Sequence, residues 1–488
     1  MKKNLLFLGL NSLLLCSTGC TNKLPIITKI DLSDASFVFS SNTFFDGEDI
    51  NKEVSMKEAY GSSQLCKIKK DDTAERIKIN TKNKEDDQFF NQDYLFYLDD
   101  IDERHFSMRV ETSVYSEEKK YQREYLVDKE TGDCTYVGES DFKFSYIFAD
   151  KNNTSSARRY INKDEQGNYY GISNFRVGNT TYYALVKKTI EKNDSVSTKK
   201  VSVEDDYLYR VDETFAVDKN GNAAYSAYYW EPGKPLIFNY IAASGKQIAI
   251  DTKELAIGTA ESYDSDGEIY EKYSKSYSTK GFWQGYDGEI YTNEDGYIRK
   301  LVQQKNSNGE IISIEQVKVS NKMDIANTKI FSNPLNYIYF DELQEIYLLD
   351  YGHTEKDNPD KNRHYELYCI YGDRMGEKVF SSFENCFNKE QKAFQGAMYA
   401  SEDSIYLVYG EKAVRLNVAN GFNGEEIDLG ERHDQGIYII SRENKGYSVS
   451  YDHRQMNIYD FNTKQASIVD DSKCKFKDID GLCNFISL

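Results

Sequence analysis

The five residues DGEIY at 266–270 return at 287–291, and a degraded copy, NGEII, follows at 308–312. Gly267, Gly288 and Gly309 therefore stand 21 residues apart. A glycine behind an acidic or amide residue, followed by alternating apolar positions, is a turn opening a period-2 strand. The design recurs along the chain in other letters. One kind of segment is a polar turn with a short aromatic-rich strand: DEQGNYYGI at 164–172, DKNGNAAYSAYYW at 218–230, YDGEIYT at 286–292, LQEIYLLDY at 343–351, EDSIYLVYG at 402–410 and ENKGYSVSY at 443–451. The other kind runs strand, polar turn, strand: YLVDKETGDCTYV at 125–137, FNYIAASGKQIAI at 238–250, LNVANGFNGEEIDL at 416–429 and IYDFNTKQASIV at 458–469.

Two hairpins make a four-stranded sheet, and such a sheet cannot cover both of its faces alone. A run of them predicts an all-β fold, a β-propeller, in which neighbouring blades stack around a channel. Counting from NQDYLFYLDD at 91–100 gives seven segments of the first kind and hence seven blades, within a range of six to eight. Glycine supplies positive φ at the turns and the aromatics fill the space between blades. On this reading DGEIY is architecture, the turn and inner strand of a blade. YDSDGEIYEKY does not read as an EF-hand calcium loop, because the required spacing of oxygen ligands is missing.

The chain opens MKKNLLFLGLNSLLLCSTGC: two lysines, an apolar run over 5–15, then small residues before Cys20. That is a secretory signal, too short to span a bilayer. Its end resembles the lipobox of bacterial lipoproteins. The resemblance implies cleavage after Gly19, lipid on Cys20 and, with Thr21 next, an outer-membrane location in the cell envelope. Residues 20–35 read as a tether and 36–84 as an N-terminal segment. Within it, a strand over 34–45 is a candidate to close the ring against the C-terminal end, and 69–88 is a solvated link. The propeller then occupies 85–488, and the pattern over those residues resembles extracytoplasmic propellers and propeller lipoproteins.

A net charge of −19, near −21 once Lys2 and Lys3 are removed, argues against nucleic-acid partners. Six cysteines remain beyond Cys20. Cys369 with Cys386 and Cys474 with Cys483 close short loops and are the favoured disulfides in an oxidising compartment. No spacing supports a metal or cofactor. GHTEKDNPDKNRH at 352–364 brings His353, Glu355, Asp357, Asp360 and His364 together without fitting a zinc pattern. No catalytic motif appears. The candidate ligand-binding residues are loop aromatics, Tyr229 and Trp230 in YYWEPGKP and Trp283 and Tyr286 in GFWQGYDG. They would stack on sugars or anchor a protein, the competing reading being that they pack between blades. Two functions follow as expectations: a lipid-anchored, non-enzymatic module that binds another envelope protein, or a glycan-binding or glycan-active surface lipoprotein.

Overall fold

The computed structural model describes residues 25–43, 62–84, 94–100, 104–112, 122–140, 163–177, 180–190, 196–201, 209–229, 237–250, 255–263, 269–278, 280–325, 330–331, 336–354, 363–381, 397–401, 403–409, 411–430, 439–441, 443–450, 455–472 and 485–488. They build eight antiparallel blades, an all-β propeller. Blade 2 has its strands at Tyr94–Asp100, His105–Thr112, Gln122–Asp128 and Cys134–Ser140, running from the inner edge outward. Blades 4 and 5 follow the same order, at Tyr209–Val217, Ala223–Tyr229, Ile237–Ile241 and Gln247–Ala249, then at Phe282–Gln284, Ile290–Glu294, Tyr297–Lys305 and Ile311–Lys318. Blades 6, 7 and 8 start at Tyr337–Phe340, Ala397–Ala400 and Ile439–Ile440. In blade 3, Lys163 bridges Tyr169 beside three strands, Tyr169–Val177, Thr180–Ile190 and Val196–Lys200. A parallel bridge from Tyr183 to Arg210 joins blades 3 and 4 into one sheet.

The seven predicted segments fall in blades 2 to 8, and the eighth blade is the one that repeats cannot reveal, because the chain termini share it. Phe485–Ser487 forms its inner strand and pairs with Ala35–Thr43, with Ser62–Lys69 and Ala74–Arg76 outside. Leu488 N also donates to Ser36 O at 3.0 Å. Asp72, at φ +63°, sits in the turn before the outer strand. It accepts from Lys445 Nζ at 2.6 Å and from Tyr447 Oη at 3.2 Å in blade 8.

Two expectations about the first hundred residues change. The stretch read as a tether contains a strand, Ile27–Ile30, which pairs with Ile79–Thr81 inside the supposed link. Ile27 and Ile30 are fully buried, so apolar burial holds this segment against the ring. The 21-residue spacing is not a blade repeat either. DGEIY at 287–291 is the turn and second strand of blade 5, and NGEII is the turn before the outer strand of that same blade. The copy at 266–270 falls in a separate two-stranded hairpin, Leu255–Tyr263 with Ile269–Ser278, whose turn at 264–268 lies outside the described residues.

Each of the eight gaps between blades holds an apolar cluster. Because a strand sends alternate side chains to opposite faces, one strand feeds two gaps. Phe37 and Phe39 enter the gap between blades 8 and 1, while Val38 enters the next. Tyr347 and Leu349 face blade 7, and Ile346 and Leu348 face blade 5. Burial on both faces is why these strands read as unbroken apolar runs such as EIYLL.

Candidate functional site

The turns between first and second strands and those between third and outer strands open on one end of the propeller. Two of them share the sequence Asp-x-x-Gly-Asn. At Asp164–Asn168, Oδ1 of the aspartate accepts from the N–H groups of Gln166 at 3.0 Å and Asn168 at 2.9 Å. Its Oδ2 accepts from Asn168 Nδ2 at 2.7 Å and Tyr170 Oη at 2.9 Å, with Lys187 Nζ at 3.8 Å. At Asp218–Asn222, Oδ1 accepts from Asn220 N and Asn222 N, both at 2.9 Å. Oδ2 takes Asn222 Nδ2 at 2.7 Å and Tyr240 Oη at 3.4 Å. Asp and Asn favour such turns because their side chains satisfy the backbone two to four residues on. Gly221, at φ +82°, is required in the second turn, since a Cβ there would lie 2.9 Å from Tyr170 Oη.

The turns are stitched to one another around the rim. Glu165 N donates to Lys219 O at 2.9 Å, Lys219 N to Gly288 O at 2.7 Å, and Lys219 Nζ pairs with Glu289 at 3.0 Å. Between the turns of blades 4 and 5 lies an open cleft of about 790 Å³, lined chiefly by Asn220, Asn222, Lys246, Gln303, Asn308 and Glu310. Gln303 Nε2 donates to Tyr240 Oη at 2.6 Å, and Lys246 Nζ to Ile311 O at 2.5 Å. Amides and ammonium groups make up most of the polar lining, beside the Glu310 carboxylate, and suit it to hydrogen-bonding a polar partner.

Burial pushes the Asp218 carboxyl above its usual 3.8, although the hydrogen bonds from Asn222 and Asn220 pull the other way. A carboxyl raised in the folded state holds its proton more tightly folded than unfolded, so it adds stability as pH falls from the folded pKa toward 3.8. Asp218→Asn keeps an acceptor for the turn N–H groups but cannot ionise. The stability difference between the two proteins is expected to move in favour of the unaltered chain on going from neutral toward pH 3.8. Urea midpoints at several pH values read this directly, and the opposite slope would mean that Asp218 is held ionised.

Of the predicted aromatics, Trp283 and Tyr286 have described side chains. Trp283 is 2 % exposed and packs between blades 5 and 6, stacked on Tyr291 and Phe331 with Tyr337 edge-on. Tyr286 is half-buried at the rim and donates to Asp341 Oδ1 at 2.8 Å. Tyr229 ends the second strand of blade 4, opposite Tyr209, while Trp230 lies outside the described residues. The packing alternative therefore describes Trp283, and Trp283 in its gap and Tyr286 at the rim occupy different places. His353 and His364 are register partners on neighbouring strands of blade 6, with Glu355, Asp357 and Asp360 outside the described residues. Cys369 is a buried thiol donating to Tyr371 O at 3.1 Å. Cys20, Cys386, Cys474 and Cys483 lie outside the described residues. Sequence reasoning passed over Asn220, Asn222, Gln303 and Asn308. The doubled Asp-x-x-Gly-Asn at 164–168 and 218–222 was the available signal for the first two.

No protein-family model and no curated protein matches the chain. Among solved structures, the β-propeller domain of the Trilobed protease from Pyrococcus furiosus is similar at 12 % identity, over 76 % of this chain and 92 % of that one, with a TM-score of 0.32. Sqt1 from Chaetomium thermophilum is similar at 8 % identity, over 79 % and 84 %, with a TM-score of 0.31. Pyrococcus horikoshii acylaminoacyl peptidase shares 12 % identity over 77 % of this chain at a TM-score of 0.33, and the match spans 52 % of the peptidase. The propeller, in eight blades, is read from this chain's own sheets.

Proposed function

We propose that the chain is a non-enzymatic binding or scaffold module: a propeller anchored to the outer membrane through lipid on Cys20, docking another envelope protein on its turn rim. The observation that carries this reading is the state of the carboxylates beside the rim cleft. Both oxygens of Asp218 are occupied by the turn and by Tyr240, and Glu310 accepts from Asn306 Nδ2 at 2.9 Å. Acids committed to holding turns are poorly placed for proton transfer, whereas the amides around them present donors and acceptors to a partner. A second reading is a glycan-binding surface lipoprotein, supported by the run of adjacent aromatics Tyr228, Tyr229 and Trp230 in the sequence.

Photo-crosslinking residues placed at Asn308 on the cleft and at Lys129 on the rim of blade 2 separate the readings in intact cells. The expected result is one discrete adduct from Asn308 alone, lost when Cys20→Ala removes the anchor. Equal adducts from both positions, or none from either, would sink the rim-docking reading. Binding to a glycan array that survives Asn308→Arg would favour the second.

A further inference from the structure

Among the described residues, five-residue turns of one geometry recur on the rim, at 164–168, 218–222, 242–246, 285–289, 306–310 and 441–445. In each, the first N–H donates to the fifth carbonyl and the fourth N–H to the first carbonyl. The fifth N–H is left over, and in five of these six turns a side-chain oxygen of the turn itself accepts it. Asp164, Asp218, Asn306 and Ser441 do so from the first position, for Asn168, Asn222, Glu310 and Lys445. Asp287 does so from the third, for Glu289. In the first two of these turns and at Asn306, the same oxygen also takes the third N–H. Backbone donors converging in a turn form a small anion-binding concavity, filled in these cases from within.

The sixth turn is AASGK at 242–246, in blade 4. Its first residue is an alanine, and among the described residues the N–H groups of Ser244 and Lys246 meet no acceptor. The turn is nonetheless held in place. Ala243 N donates to Asn222 Oδ1 at 2.8 Å and Lys246 Nζ to Ile311 O at 2.5 Å, so the two idle donors are positioned before anything binds. Ala242, Ser244 and Lys246 line the cleft between blades 4 and 5, and Ser244 and Lys246 are exposed. Lys305, at the end of the third strand of blade 5, lines the same cleft and has no carboxylate partner among the described residues. Nearby ammonium groups are matched: Lys187 with Asp164, Lys219 with Glu289 and Lys300 with Asp287. The carboxylate that lines the cleft, Glu310, accepts from Asn306 Nδ2 instead.

We propose that the AASGK turn is a carboxylate site. The docked partner places an Asp or Glu side chain, or its own chain terminus, where a first-position side chain is missing. Its oxygens accept from Ser244 N and Lys246 N, and Lys305 supplies the opposite charge. This rests on the rim-docking reading and names the chemistry that the partner brings to the cleft. Asp164 and Asp218 show a carboxylate oxygen taking the same pair of N–H groups in the turns of blades 3 and 4. A sugar hydroxyl could meet one of the donors but would leave the Lys305 charge unmatched.

Nuclear magnetic resonance of the full chain, with nitrogen-15 in serine and lysine, reads the two amides directly. Their signals are identified by their loss in Ser244→Thr and Lys246→Arg. The probes are an acetylated and amidated oligoglutamate peptide, an acetylated oligoglycine with a free carboxyl end, and inorganic phosphate. Saturable movement of both signals is expected with the peptides, and the tighter of the two tells side chain from terminus. Lys305→Gln is expected to weaken the binding by up to about fivefold, the ordinary worth of an exposed ion pair. Ala242→Asp supplies the oxygen from within, as Asp218 does, and is expected to abolish the movement. Ala242→Ser copies Ser441 with a smaller change and should weaken binding in the same direction, and melting curves verify that both variants fold. Phosphate binding more tightly than either peptide, no saturable movement with any probe, or a folded Ala242→Asp that binds like the unaltered chain would each overturn the proposal. In cells, Ala242→Asp is expected to remove the adduct from Asn308. An adduct that persists overturns the carboxylate site and leaves rim docking standing. No adduct from the unaltered chain sinks rim docking, while the peptide titration still decides the carboxylate site.

Discussion

Truncation after Asn484, removing Phe485–Leu488, is expected to lower stability by on the order of 5 kcal/mol or more and to broaden the unfolding transition. The deleted strand is the inner strand of blade 1 and pairs with Phe37, Val38 and Phe39, all fully buried. Ile486 itself is 1 % exposed in the cluster that also holds Ile27, Phe96, Phe106 and Tyr125. Replacing one such isoleucine by alanine costs roughly 2–5 kcal/mol. Loss of the whole strand also strips the ladder bonds from Ala35–Thr43 and uncovers two gaps. The side chain of Asp72 would still bind Lys445 and Tyr447, but these contacts lie at the turn and cannot cover an exposed apolar strand. Thermal melts followed by near-ultraviolet circular dichroism decide the matter. An unchanged melting temperature would mean that the ring closes by other contacts.

The second large effect is at Trp283. Trp283→Ala is expected to cost about 3–5 kcal/mol, because it opens a cavity among Tyr291, Phe331 and Tyr337 that the surrounding strands cannot fill. A tryptophan serving a ligand would behave otherwise, losing binding with little change in stability. Its indole N–H is buried without a partner. Trp283→Phe, which keeps an aromatic ring and removes that N–H, should therefore cost much less than the alanine change. Equal costs for the two would imply that the indole makes an interaction beyond ring packing. Gly281, two residues earlier, shows how tight the surroundings are: a Cβ there would lie 2.0 Å from Phe331 O and 2.1 Å from Tyr337 Oη.

The propeller was legible because strands buried on both faces need apolar residues at successive positions and polar residues at turns, and segments such as EIYLL and DKNGN carry both signals locally. Blade 1 was legible in part: the strand at 34–45 stood out as the ring closer, but its partner Phe485–Ser487 did not, because that one of the blade's three pairings joins residues some 450 positions apart. The strand at Ile27–Ile30 was hidden for a different reason: its four residues run buried, exposed, exposed, buried, which carries no period-2 signal of a partner at Ile79–Thr81. At the candidate site, aromatic content misled for Trp283, since a large ring beside glycines suits a crowded gap as well as a loop. The cleft residues were silent because Asn220 and Asn308 meet only when two turns from different blades are brought side by side.

The strand at Ile27–Ile30 enters the ring at its perimeter, beside blades 1 and 2, with Ile27 N bound to Tyr125 Oη at 3.2 Å. On the proposed anchoring at Cys20, the five residues to Pro25 can reach at most about 18 Å when fully extended. The lipid is then a short leash attached to one point of the circumference. In a ring of eight blades the outer strand of blade 5 lies almost diametrically across from that point. The outer strand of blade 5 is therefore carried nearly a full ring's width from the attachment point, and whatever meets that side of the disc does so far from the lipid.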